Sequence, residues 1–235
     1  MSSDPNGSGV KGLSHADYGK IINSETVEET PVERIRVTEL YVPTGRIVAT
    51  DPLVGPERSP FTRTVQPGSY PVDVYLASTQ QSGKRIAIAV LTFQHGEPDR
   101  YELALTEGQS LDALESPDEY FGFFVDAGLG AFFDAETGAL YNQFIEEFYR
   151  QNLGSNLYDD FLAKRFKANA RECDLPRSDG DWLDLPLPNS PQHNVAIFAS
   201  GYGDGVYPTY WGIDGSGAAV NLVIDFHVLL LPERG

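Results

Sequence analysis

The sequence predicts an α+β fold, a mostly antiparallel β-sandwich or curved barrel with a two-helix insertion in its second half. Three observations carry that expectation. Short apolar runs bounded by turn residues fill residues 33–126 and return after 195. Apolar residues recur at helical spacing only between about 135 and 170. Apolar residues make up 41% of the 235 and aromatics 11%, which suffices for a packed core and excludes wholesale disorder.

Residues 1–30 are polar, rich in glycine and serine and then acidic, and read as a flexible arm ahead of a single domain over 31–235. Ile35 and Val37 alternate with Arg34, Arg36 and Thr38, the period of a half-buried strand. Pro43-Thr44-Gly45 and Pro67-Gly68-Ser69 mark turns, after which Val72, Val74 and Leu76 alternate with Asp73 and Tyr75. Arg85–Phe93 places Ile86, Ile88 and Val90 on one face and small Ala87 and Ala89 on the other, as in a central strand covered on both sides. Leu140, Phe144 and Phe148 fall at i, i+4 and i+8, so about 135–151 reads as an amphipathic helix. A second helix is expected from Leu157 to about Ala170, after a break at 152–156. Residues 174–192 hold four prolines and read as a long surface loop. The closing run Val220–Leu230 alternates most cleanly; as an exposed edge it would invite aggregation, so it is expected to pair internally or across a homodimer.

Charge narrows the function classes. Seventeen basic residues against 34 acidic give a net charge of −17. Such a chain repels phosphate backbones and anionic lipid, which argues against nucleic acid and membrane as partners. No apolar stretch approaches the roughly 20 residues of a membrane span, and residues 1–20 lack a signal peptide's apolar core. With Cys173 the single cysteine, flanked by Glu172 and Asp174, neither a disulfide nor a reactive thiolate is expected. Together these point to the cytoplasm.

Familiar catalytic signatures are missing: no G-x-S-x-G, no phosphate loop ending in Gly-Lys-Ser/Thr, no H-E-x-x-H. Gly201–Gly205 has dinucleotide-loop glycines, but no helix follows and Asp204 would oppose a pyrophosphate. Of the four scattered histidines, only His193 and His227 lie near strands that can pair. Residues 97–136 carry eleven acids against one base, Arg100. Asp134 fits a helix N-cap with Glu136 in the first turn, and Asp126 before a small residue and a glycine fits a turn. Ser200–Pro208 alternates glycines with Tyr202 and Asp204. It reads either as a hairpin turning at Asp204-Gly205 or as a ligand loop in which Asp204 presents a carboxylate and Tyr202, Tyr207, Tyr210 and Trp211 form flat walls.

Four ordered blocks carry a resemblance. They are Gly45–Pro52, Val65–Val72, Phe124–Asp134 and Ser200–Asp214, the last followed by Val223–Phe226. Together, over about 45–226, the chain resembles an uncharacterised bacterial family labelled domain of unknown function 4241. The resemblance implies no reaction; it groups Asp51, Asp126, Asp134 and Asp204 as the acids of the shared blocks.

Two readings follow. The first is an acidic, non-enzymatic binding protein, a monomer or homodimer, that captures a basic protein in the manner of an immunity protein or antitoxin, since acidic surfaces speed capture of basic effectors. The alternative is a Mg²⁺, Ca²⁺ or Mn²⁺ site built from Asp51, Asp126, Asp134 and Asp204, with hydrolysis as an extension, because oxygen-only ligands select hard cations. It requires all four carboxylates to converge on one ion.

Overall fold

A computed structural model describes residues 10–172 and 180–229. In chain order the elements begin with α1 (Tyr18–Asn23), β1 (Thr26–Val27), β2 (Thr30–Val42), β3 (Ile47–Thr50), β4 (Gly68–Thr79) and β5 (Gly83–Thr92). Then come β6 (Arg100–Leu103), β7 (Gly122–Val125), β8 (Leu129–Asp134), α2 (Ala135–Gln151) and α3 (Ala163–Glu172). The chain closes with β9 (Trp182–Leu187), β10 (Ser190–Ala199), β11 (Gly205–Ile213) and β12 (Ala219–Asp225).

Two antiparallel sheets face each other. The larger runs β1-β2-β4-β5-β12-β11, and the far edge of β11 is shared by β7 along Gly205–Pro208 and by β6 along Tyr210–Ile213. The smaller runs β3-β8-β10-β9. Leu40, Val74, Leu222 and Trp211 of the first interdigitate with Ala49, Phe132, Ala196 and Phe198 of the second. This is the expected sandwich, and no barrel closes.

Each sheet is covered on its outer side as well. Tyr141 of α2 and Phe166 of α3, with Leu162 just ahead of α3, bury Val48, Phe133, Leu185 and Ile197 of the small sheet. Tyr18 and Ile21 of α1 bury Tyr75, Ile88, Val90 and Val223 of the large one. Burial on both sides explains why β5 and β8 carry apolar runs rather than a polar face, and why β12 is buried along its length, Asn221 included. β12 lies between β5 and β11, so the alternating run at 220–225 is an interior strand.

Three expectations need correction. From residue 10 onward the arm is packed: Tyr18 and Ile21 are fully buried, and Asp17 caps α1 by accepting from the Lys20 amide. Polar composition hid three buried side chains, Tyr18, Ile21 and Val27. The supposed 174–192 loop contains β9, whose Trp182 packs between the sheets and whose Leu183, Leu185 and Leu187 pack beneath the helices, while Pro186 sits on an edge strand. Ser200–Asp204 is not a hairpin, because β10 and β11 belong to different sheets and the segment crosses between them. Cys173 lies outside the described residues.

The exposed edge of β2 carries a bulge between Arg36 and Thr38. Near its end the Asn194 side chain donates to the Glu39 carbonyl at 3.1 Å and accepts from the Tyr41 amide at 3.0 Å. Arg34 and Arg36 reach from β2 to the buried Asp73 of β4 at 2.7 and 2.8 Å. No helix among the described residues is long and apolar enough to cross a membrane.

Candidate functional site

The four aspartates do not gather around one ion. Asp51, fully buried after β3, spends both carboxylate oxygens on backbone amides. Oδ1 accepts from Leu53 at 2.9 Å and Val54 at 3.3 Å, and Oδ2 accepts from Asp126 at 3.1 Å and Ala127 at 2.8 Å. It pins its own turn to the β7–β8 turn. Asp134 caps α2 through the Glu136 amide at 2.8 Å and also accepts from the amide and hydroxyl of Thr44. In the β3–β8 register Asp134 lies opposite Ile47, whereas Asp51 follows Thr50, which lies opposite Ala131. Four residues of strand separate the two carboxylates by about 13 Å, too far to share a cation. Among the described residues no group of three or more His, Cys, Asp or Glu side chains is placed to hold a metal.

Asp126 and Asp204 do come together. Gly205 pairs with Val125, so both aspartates sit one step beyond that pair at the same end of the β7–β11 ribbon, exposed to solvent.

The four aromatic candidates diverge. Tyr210 and Trp211 are adjacent on a strand and face opposite sides. Tyr210 lies in the outer layer, 5.7 Å between ring centroids from Tyr18, and Trp211 lies between the sheets beside Phe93 and Phe61. Tyr207 is buried and folds back over the crossing segment, donating its hydroxyl towards the carbonyls of Gly203 at 2.8 Å and Ser200 at 3.2 Å. The Gly203 carbonyl also accepts from the Ser200 hydroxyl. The glycines therefore serve closure of this crossing. Gly201 has φ 61°, and a Cβ there would lie 2.7 Å from Cγ2 of Val228. Of the five candidate ligand-contacting residues, Tyr202 and Asp204 are exposed, and Tyr207, Tyr210 and Trp211 are not.

Beside them is a surface that motif reasoning missed. Phe124 of β7 and Val206 of β11 are cross-strand partners, 57% and 47% exposed, while Phe123 and Val125 are buried. Tyr120 and Tyr202 add exposed rings, and the Tyr120 hydroxyl reaches the Val206 carbonyl at 3.5 Å. Exposed Asp118, Glu119, Asp126 and Asp204 belong to the same two segments, and neither 115–126 nor 200–206 contains lysine or arginine. The readable signal was Phe123-Phe124 in a short strand, because alternation must turn one of the two rings outward.

Beneath this patch Asp225 is buried, accepting from the Tyr18 hydroxyl at 2.9 Å and the His227 amide at 2.8 Å. Burial raises its carboxyl above the ordinary carboxylate range, opposed by His227 and these hydrogen bonds. Burial, and then the charge of Asp225, also raise the Tyr18, Tyr120 and Tyr210 hydroxyls. His227, at φ 53°, stacks between Tyr120 and Tyr207 with Nδ1 3.9 Å from Asp225. His193 lies elsewhere, against Ser190, Glu136 and Tyr41, so the two histidines share no neighbours. His15 and His95 are exposed.

No curated protein and no solved structure matches this chain. Residues 40–224, which include all four shared blocks up to Ile224, match the model of the family described as protein of unknown function (DUF4241), and the chain belongs to that family.

Proposed function

We propose that this protein is a binding protein that captures a basic protein partner through the acidic, aromatic end of the β7–β11 ribbon, in the manner of an immunity protein. The observation that carries the reading is the exposed Phe124–Val206 pair, with Tyr120 and Tyr202 beside it and Asp118, Glu119, Asp126 and Asp204 around it. Aromatic side chains are enriched where interfaces carry their binding energy, and rim charges steer the encounter. The wider acidic stretch supports the same partner. Glu97, Asp99, Glu107, Asp112, Glu115 and Glu136 are also exposed, whereas Asp134 is spent on its cap. A cytoplasmic setting suits a chain with one cysteine.

The test is co-expression with basic proteins encoded beside its gene, followed by interferometry at about 50 and about 500 mM salt. A basic product should bind, with an on-rate that falls about tenfold or more at the higher salt. Phe124→Ser should weaken affinity about 30-fold through a faster off-rate. If no basic product binds, or binding is indifferent to both salt and Phe124→Ser, the reading is wrong.

A further inference from the structure

At the opposite end of β11 the structure holds a second site of different character. A cavity of about 450 Å³, within the range of small-molecule pockets, opens at the outer edge of β6. Leu13, Leu111 and Trp211 supply apolar lining, and Lys11, Arg63 and Arg100 line the cavity as well.

The walls are built, not incidental. Residues 11–14 lie antiparallel along β6: Leu13 bridges Glu102, the Leu103 amide donates to the Gly12 carbonyl at 2.7 Å, and the Ser14 amide to Tyr101 at 3.0 Å. Gly12 has φ 77°, a backbone conformation that favours glycine, and a side chain there would also press on Leu111. The other wall is held by the Thr62 amide on the Leu105 carbonyl at 2.8 Å. Lys11 is fixed by the Leu114 carbonyl at 2.7 Å.

The charge balance is the informative part. Arg63 and Arg100 share one carboxylate, Glu102, at 2.6 and 2.7 Å, and Lys11 has no acid partner among the ion pairs of the described residues. One acid against three bases leaves two positive charges around a single cavity, on a chain whose net charge is −17. The other half of the lining is apolar, so an anion without an apolar body would leave that surface empty. We propose that this pocket binds an amphiphilic monocarboxylate, its head between Lys11 and the two arginines and its aliphatic body against Leu13, Leu111 and Trp211. One wall, including Lys11, comes from residues 10–13, outside the 40–224 match. The site is therefore a property of this chain rather than of the matched family region. It is also independent of the partner surface, since Val206 and Trp211 are about 16 Å apart along β11.

Trp211 is one of two tryptophans and reports occupancy directly. The experiment titrates the full chain with decanoate below its micelle concentration, reading tryptophan emission and calorimetry, with decanol and inorganic phosphate as comparison probes. Saturable one-to-one decanoate binding is expected, with decanol at least about tenfold weaker because it lacks the charge. Lys11→Gln with Arg100→Gln should cost about tenfold or more at an unchanged melting temperature, and Leu111→Trp should block the pocket. Equal affinity for decanol overturns the proposal in favour of a nonspecific apolar cleft. Phosphate binding as tightly as decanoate, no decanoate binding, or full affinity in the Lys11/Arg100 double variant also overturns it. If Leu111→Trp fails to fold, that double variant decides. Phe124→Ser should leave decanoate binding intact, so this site and the partner surface stand or fall separately.

Discussion

Asp51 shows how a carboxylate can look like a ligand and act as a clamp. Its two oxygens hold four amides from two turns, Leu53 and Val54 in its own and Asp126 and Ala127 in the next. Asp51→Ala would leave those buried donors unpaired, and urea unfolding should show a loss of about 3 kcal/mol or more. The Asp-Pro-Leu turn was readable in the sequence; the clamp was not, because half of it comes from 75 residues downstream. Asp225 makes the opposite prediction. Its folded carboxyl holds its proton to higher pH than an unfolded aspartate does, so the native state binds more protons between the two values and loses stability as pH rises through them. Asp225→Asn keeps an acceptor for Tyr18 and removes the buried charge. Melting curves should nearly coincide near pH 3, with the variant increasingly the more stable towards pH 8. A gap that is constant with pH would show that Asp225 is not the group responsible.

Among the elements, α2 was the most readable: its span of Ala135–Gln151 follows from the Asp134 cap and from Leu140, Phe144 and Phe148 along one stripe. Removing that cap also frees Thr44, so Asp134→Ala should cost about 2 kcal/mol in chemical denaturation, more than an isolated N-cap does. The segment 200–204 was the least readable. Its glycines suit a hairpin as well as a crossing between sheets, and only the partners of β10 and β11 distinguish them. Gly201→Ala should destabilise the protein by about 1–3 kcal/mol, because both its φ and the nearby Val228 disfavour a side chain. β9 was missed since Pro186 suppresses a strand reading that an edge position tolerates. The candidate site was half readable: Asp204 and Tyr202 were named, but Phe124, Val206 and Tyr120 join them only through the register of two strands some 80 residues apart.

For the molecule as a whole, the charge of −17 opposes compaction, with most acids on the surface and few bases to screen them. Raising sodium chloride from about 20 to about 500 mM should therefore raise the melting temperature by a few degrees, whereas a molecule held together by its surface ion pairs would lose stability. The four-layer arrangement was only partly deducible, because burial of both faces removes the alternation that separates an inner strand from an outer one. One edge has a further consequence. The long open side of β2 presents Glu33, Arg34, Arg36 and Glu39, bends at a bulge, and has its last free amide and carbonyl taken by Asn194. Charge, distortion and a capping amide are each a known defence against strand addition. This edge is a poor template for a foreign chain seeking backbone pairing, which protects a β-rich protein against fibril growth from that side.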